Sequence, residues 1–234
     1  MNPTLPDPTS GAASQTERAY AALRSSIVRC QFVPGERLGV EELGVRLGVS
    51  SSPVREALSR LVAQGLVLAL ERRGFRVAPL TVEGVADLTR VRLLLEGEAL
   101  RDAMHHGDDR WEAQLVAAGH ALGLVEQRLR DVMPLLDDDW SARHREFHMA
   151  IYEGCRSPLL REMVGQLFDS AERYRRYSAR HRKASRVKHS EHASLMQAVL
   201  SRDRKRAGDL LVEHLSTTER NVTSALLAMG SVRS

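Results

Sequence analysis

Apolar residues recur at helical spacing along most of the chain. The pattern begins near Thr16, where Tyr20, Leu23 and Ile27 fall on one helical face. The Pro-Gly pair at 34–35 ends this pattern and leads into a short extended piece. The chain therefore opens with a predicted amphipathic helix and a short strand.

Two short helices and a pair of strands are predicted next. Segments 41–47 and 52–65 have helical periodicity, and a turn at 48–50 separates them. Alternating apolar residues flank the tripeptide Arg-Arg-Gly at 72–74, which is typical of a β-hairpin. Helix, strand, helix, helix and hairpin in this order predict a winged helix-turn-helix.

Six amphipathic helices are predicted from Thr81 onward, where the sequence has no strand signal. The breaks between them are short, which implies that neighbouring helices pack antiparallel. The predicted fold is therefore mainly α, with an N-terminal winged helix-turn-helix followed by an antiparallel six-helix bundle. The predicted helices span 82–106, 109–130, 137–154, 158–178, 185–201 and 204–228.

The predicted organisation has three parts, which are a disordered tail at 1–15, a winged helix-turn-helix domain at 16–79 and an all-helical domain at 82–230. The tail lacks the basic and apolar regions of a signal peptide, and no apolar run is long enough to cross a membrane. Cys30 and Cys155 lie far apart and form no CxxC motif, so we expect a reducing, cytoplasmic location.

The charge of the chain changes this picture only slightly. The formal net charge is +4, which permits an anionic partner without requiring one. Nearly all the basic residues are Arg, whose planar guanidinium suits phosphate, carboxylate and guanine.

The second helix of the short pair has features of a DNA-reading helix. Ser50 is the predicted N-cap and Pro53 lies in the first turn, so this helix end presents free backbone N–H groups to a phosphate. Ser51, Ser52 and Arg55 project from the same turn, where a recognition helix meets base edges. An ordinary helical hairpin with solvated arginines is the alternative, and the β-hairpin that follows makes it less favoured.

The tip of the predicted hairpin is basic. Arg72 and Arg73, next to Gly74, are expected to meet the DNA backbone or the minor groove.

Four histidines stand at spacings that suit a metal site. His144 and His148 are four residues apart and share one helical face. His192 and His214 lie on consecutive predicted helices, whose antiparallel packing would turn both imidazoles toward the bundle interior. Converging neutral imidazoles bind zinc, nickel or a similar divalent metal. His189 and His192 form a competing pair three residues apart, which periodicity alone does not exclude.

The segments PGERL, ELGVRLGVSSSPVREALSRLVAQGLV and RRGFRV resemble the DNA-binding domain of GntR-family transcriptional regulators. The resemblance implies that Arg55 and Glu56 help to read the operator. Ser51 stands where the family often has Arg, so the operator preference is expected to differ from the family's commonest sites. The predicted DNA-binding residues are Ser51, Ser52, Pro53, Arg55, Glu56, Arg72, Arg73 and Gly74.

Residues 82–228 resemble the all-helical FCD effector-binding domain of the FadR subfamily, through VRLLLEGEALRDA, HREFHMAIYEGCRSPLL and EHASLMQAVLSRDRKRAGDLLVEHL. Six helices rather than seven suggest its VanR-like branch. The first ligand position in that domain is usually Asp, and an all-histidine set favours zinc or nickel over calcium or magnesium. His144 turning aside would instead leave a three-histidine site. The metal ligands that the resemblance implies are His144, His148, His192 and His214.

The same resemblance implies a small organic-acid effector. Arg92 falls on the family's arginine position and is the predicted carboxylate clamp. An ion pair between Arg92 and Glu96 is an equally weighted alternative. Tyr174 is predicted to face the effector cavity, and most arginines around it are expected to form a solvated face or to line the mouth of the bundle. Cys155 is interpreted as a buried, inert thiol.

These predictions describe a ligand-responsive transcriptional regulator. A repressor that the effector releases is the commoner arrangement for such a protein. A homodimer would read palindromic operator DNA, and the effector would change its affinity for that DNA. The alternative is a DNA-binding regulator whose bundle only dimerises, with structural metal or none. A metallohydrolase is not favoured, because Glu146 lies two residues after His144 and points about 200° around the helix from it. We therefore expect no enzyme activity and no membrane partner.

Overall fold

The computed structural model describes residues 14–71, 73–129, 137–180 and 190–230. Backbone contacts divide the chain into two compact units, Met1–Pro79 and Leu80–Ser234. Each unit contains a hydrophobic core of its own. Of the predicted disordered tail, residues 1–13 lie outside the described residues, whereas Ser14 caps the first helix and Gln15 begins it.

The first unit combines helices with a small antiparallel sheet. Its strand order is β1-β3-β2, so the third strand lies between the other two. Helix α3 packs against α1, α2 and β2, and the core includes Leu23, Ile27, Leu58 and Leu61. The elements are α1 (Gln15–Val28), β1 (Arg37–Leu38), α2 (Val40–Leu47), α3 (Ser51–Ala63), β2 (Val67–Leu70) and β3 (Gly74–Val77).

The turn between α2 and α3 depends on two glycines. Gly48 ends α2 in the left-handed region with φ of 66°, a conformation that glycine adopts without steric cost. A Cβ atom on Gly44 would lie 2.8 Å from the carbonyl oxygen of Val49, so only glycine allows this close approach. The turn therefore fixes α3 tightly against α2.

The second unit is a helical bundle. Thr81, Asp108 and Asp137 accept hydrogen bonds from the first N–H groups of its first three helices and so cap them. Phe147 and Leu115 are fully buried at its centre. The helices of its described residues are α4 (Val82–His106), α5 (Asp109–Arg128), α6 (Asp138–Tyr152), α7 (Pro158–Arg180), α8 (Ser190–Leu200) and α9 (Arg204–Gly230).

The predicted fold class is confirmed, since a winged helix-turn-helix is followed by six helices in the described residues. Small differences occur at helix ends. Helix α3 ends at Ala63, two residues before Gly65, and α7 continues to Arg180. The predicted start of α8 at 185–189 lies outside the described residues. No helix in the part of the chain that the structure describes is long and apolar enough to cross a membrane.

Candidate functional site

Helix α3 has one buried and one exposed face. Val54, Ala57 and Leu58 are fully buried, whereas Ser52 and Arg55 are exposed on the opposite side. This division follows the helical period, with the apolar positions facing the core of the first unit.

The start of α3 offers backbone donors. Ser50 occupies the N-cap position, as predicted, but its side chain makes no capping hydrogen bond. Ser51 and Pro53, in the first turn, are half-buried. The first N–H groups of a helix carry partial positive charge, which suits a phosphate oxygen.

A groove beside α3 brings exposed arginines from three elements together. Arg37 of β1, Arg55 of α3 and Arg73 of the hairpin tip all line it, together with Gly74. Glu41 and Glu42 from the first turn of α2 line it as well, so the groove carries both charges.

Sequence reasoning missed Arg37 and its cross-strand partner Arg76. Both are exposed, and the alternation of apolar and polar residues along their strands was the available signal. Arg72 lies outside the described residues.

Two other polar residues of α3 are directed toward α1. Thr16 Oγ1 donates a hydrogen bond to Glu56 Oε2 at 3.1 Å. Arg60 donates to Glu17 at 2.5 Å, and its guanidinium lies 4.0 Å from the centre of the Tyr20 ring. These contacts orient α3 on α1. Glu56 is therefore held by α1, whereas its neighbour Arg55 faces outward.

In the second unit, three helices bring four histidines together. His144 and His148 come from α6, His192 from α8 and His214 from α9. One ring nitrogen from each lies within 4.8 Å of the others. His144, His148 and His192 are buried, and His214 is half-buried. The structure therefore brings together all four histidines chosen from the sequence.

Packing directs His144 into this cluster rather than aside. Its ring stacks on Trp140, one turn earlier in α6, at 4.4 Å between ring centres and 13° between planes. The Nε2 atoms of His144 and His148 are 3.1 Å apart. Phe168 of α7 lies against both rings, 5.4 Å and 5.3 Å away between ring centres. His189, the competing partner of His192, lies outside the described residues.

Burial favours the neutral form of His144, His148 and His214. Burial lowers the pKa of His144 and His148 well below the ordinary value for histidine, and neighbouring imidazoles lower the pKa of each further. Burial also lowers the pKa of His214, while Glu191 acts in the opposite direction. The neutral imidazole is the form that binds a metal ion.

The donor set fits a divalent transition metal. Nitrogens bound to one tetrahedral zinc ion at about 2.0–2.1 Å would lie roughly 3.3 Å from one another. The 3.1 Å contact between His144 and His148 is close to that spacing, and the full set of four nitrogens extends to 4.8 Å. Within the described residues, Nδ1 of His144 and of His148 and Nε2 of His192 are buried without a hydrogen-bond partner. A metal ion between the rings would satisfy Nε2 of His192, whereas His144 and His148 would bind it through the Nε2 atoms that already face each other.

Arg92 of α4 lies close to the histidine cluster. It forms the ion pair with Glu96 that is the alternative to its predicted role as a carboxylate clamp. Its Nε donates to Glu96 Oε1 at 2.5 Å, and both side chains are almost fully buried. Glu96 Oε2 also accepts a hydrogen bond from Tyr152 at 2.7 Å. The guanidinium lies 5.7 Å from the centre of the Phe168 ring, and its Nη2 has no hydrogen-bond partner among the described residues. Arg92 therefore makes the ion pair and still has a buried donor beside the histidines.

The structure places Tyr174 elsewhere. Tyr174 packs with Val85 and Val222 in a separate small cluster. It lies six residues after Phe168, which is about 240° around α7, and so it faces away from the histidines. Its hydroxyl would contact any side chain placed at Gly84, near the start of α4. The predicted position of Tyr174 in the effector cavity stays a prediction.

The arginines around Tyr174 do not form a solvated face. Arg173, Arg175 and Arg176 are each 4–6% exposed. Arg175 lies 4.5 Å from the centre of the Phe168 ring, and it shares Glu172 with Arg176. A run of charges on a helix normally indicates an exposed surface, and here buried carboxylates reverse that expectation.

Comparisons with known proteins identify both parts of the chain. Residues 15–77 match the gntR family of bacterial regulatory proteins, and residues 87–217 match the FCD domain. The chain belongs to the GntR family. Within this family, the uncharacterized HTH-type transcriptional regulator BphR of Paraburkholderia xenovorans strain LB400 is 38% identical over 214 residues, which cover 91% of this chain and 87% of BphR.

Two further GntR-family comparisons agree. The HTH-type transcriptional repressor GlaR of Escherichia coli K12 is 38% identical over 202 residues, 85% of this chain and 91% of GlaR. The solved structure of E. coli McbR/YncC has a TM-score of 0.75 at 23% identity, and the match covers 91% of this chain and 99% of that one. The latter likeness shows the fold. The protein is a DNA-binding transcriptional regulator of the GntR family with an FCD domain, and not an enzyme.

Proposed function

We propose that this regulator is a ligand-responsive repressor whose helical bundle binds a divalent metal and a small carboxylate effector. The observation that carries the proposal is the convergence of His144, His148, His192 and His214 in one buried cluster. Zinc is the expected metal, with nickel as the alternative, because nitrogen-only sites suit both. A metal ion held by three of the four histidines, or one that expands to five ligands, would leave a position for a carboxylate oxygen.

The effector site would lie between the histidines and Arg92. The buried Nη2 of Arg92 is a donor for a carboxylate oxygen, and the Phe168 ring lies near both this arginine and the imidazole of His144. A charge-assisted hydrogen bond to Arg would orient one carboxylate of a compact polar acid. A buried arginine donor beside a histidine cluster favours a small organic acid over a long apolar molecule as the effector.

In the first unit, the proposed DNA-binding residues surround the exposed start of α3. Ser51, Ser52, Pro53 and Arg55 would enter the major groove, and Arg73 with Gly74 would approach the backbone. Arg37 joins them because it lines the same groove. Glu56 is proposed to position α3 through Thr16 rather than to contact bases. A homodimer would place two such helices on a palindromic operator.

Replacing Arg55 with alanine is expected to weaken binding to selected operator DNA by about 1–3 kcal/mol, because its exposed guanidinium suits bidentate contact with a base. Fluorescence anisotropy on an operator obtained by in vitro selection, with a scrambled duplex of equal length, measures the effect. Binding to the scrambled duplex should change less. Arg18→Ala is the matched control, because Arg18 is exposed on α1 and does not line the groove beside α3. An unchanged affinity of Arg55→Ala for the operator would contradict this role of α3.

A thermal-shift screen against small carboxylates, with and without a chelator, tests the effector proposal. A ligand that binds only the folded protein adds about 2.7 kcal/mol at a hundredfold excess over its Kd. The expected result is a shift from particular acids that disappears with the chelator. No shift from any acid, together with no change on chelation, would favour the alternative in which the bundle only dimerises.

A further inference from the structure

A buried carboxylate that does not belong to the histidine set contacts one of its members. Glu126 lies near the end of α5 and is 3% exposed. Its Oε1 is 2.8 Å from Nδ1 of His192. Because an ionised carboxylate only accepts hydrogen bonds, the Nδ1–H group of His192 is the donor.

This hydrogen bond decides which nitrogen of His192 is available. With the proton on Nδ1, the lone pair of the neutral ring is on Nε2. The Nε2 atom is buried and has no hydrogen-bond partner in the described residues. It belongs to the ring that lies 5.0 Å and 5.2 Å, between ring centres, from His144 and His214. Glu126 therefore fixes His192 in the tautomer that presents a lone pair to the cluster.

The other three histidines are held differently. Nδ1 of His144 and of His148 has no hydrogen-bond partner in the described part of the chain. Nδ1 of His214 is 3.6 Å from Glu191, whose side chain is 38% exposed. The contact between His192 and Glu126 is shorter, and both side chains are less than a tenth exposed.

Charge gives Glu126 a second effect. Four neutral imidazoles carry no negative charge, and a buried dication without an anion nearby is strongly unfavourable. Glu126 contacts an imidazole of the cluster, so its negative charge is one hydrogen bond away from a bound ion.

We propose that Glu126 is a positioning residue of the metal site, which orients His192 and raises its affinity for a divalent cation. Carboxylates that accept the second N–H of a ligating histidine typically change metal affinity by about 10–100-fold when replaced. The inference rests on the proposed metal site, and it assigns to that site a residue from a helix that carries none of the four histidines.

The first test is a zinc titration of the full-length protein against a chromophoric chelator. Glu126→Gln keeps the size of the side chain but removes its charge, and zinc affinity is expected to fall by about tenfold or more. Glu191→Gln, the same change on the exposed partner of His214, should have a much smaller effect. An unchanged affinity of Glu126→Gln, or equal losses in the two variants, would overturn the inference.

The second test needs no change at Glu126, so it holds even where that variant fails to fold. Long-range 1H–15N NMR of histidine-labelled, zinc-loaded protein reports the protonated nitrogen of each ring, and a His192→Ala variant assigns the signal. A proton on Nδ1 and zinc on Nε2 of His192 are expected. Zinc on Nδ1 would overturn the role of Glu126 alone, whereas no zinc binding by the wild-type protein would overturn the proposed metal site itself.

Discussion

Replacing His192 and His214 together by alanine is expected to abolish bound metal while the dimer persists. The two residues supply half of the nitrogen donors and come from α8 and α9, so the two that remain on α6 would not hold an ion tightly. All four donors belong to one chain, so we expect the proposed dimer to form without the metal. Metal content after zinc loading and desalting, together with molar mass from light scattering, measures both outcomes.

The matched control for this double variant is His105→Ala with His120→Ala. Both histidines are exposed and neither belongs to the cluster. The control should retain the metal content of the wild-type protein. Full metal content in the His192 and His214 variant would contradict the proposed site.

Replacing Arg92 by methionine is expected to lower the free energy of unfolding of the bundle by about 3–5 kcal/mol, because Glu96 would be left as a buried carboxylate without its cation. Urea unfolding followed by tryptophan fluorescence measures this loss specifically, since Trp111 and Trp140 both lie in the bundle. A loss well under 1 kcal/mol would show that Glu96 does not depend on Arg92.

A second substitution separates charge from packing. Arg92→Met combined with Glu96→Gln removes both charges and keeps an acceptor for the Tyr152 hydroxyl. Removing both partners of a buried pair is far less costly than removing one, so most of the stability should return. If that folded double variant binds the acid found by thermal shift as tightly as the wild-type protein, the clamp role of Arg92 is wrong and only the ion pair remains.

Hydrophobic periodicity was sufficient to predict the fold because each helix needs only one continuous apolar face. The break at Gly107 and the start at Pro158 bound α4 and α7 where the sequence indicated. The histidines were also found, since their spacing on α6 and their placement on α8 and α9 are visible without coordinates.

The surroundings of the histidines could not be predicted in the same way. On α7, residues 171–176 are all buried, so this stretch of the helix has no solvated face that a charge pattern can reveal. Which of these residues contacts Phe168 depends on packing against several neighbours at once. Glu126 did leave a signal, because it falls among the apolar positions Leu122 and Val125 of α5 and Leu129 directly after it. A carboxylate in that position requires a buried partner.

The most direct test of the account is the affinity of the zinc-loaded protein for its operator, measured with and without a saturating acid from the screen. The same titration is made on the His192→Ala, His214→Ala variant. An effector coupled to DNA binding typically changes affinity by about 5–150-fold, and we expect the acid to weaken operator binding of the wild-type protein within that range but not that of the variant. Equal operator affinity with and without the acid in the wild-type protein, or equal weakening in both proteins, would contradict a metal-anchored effector site.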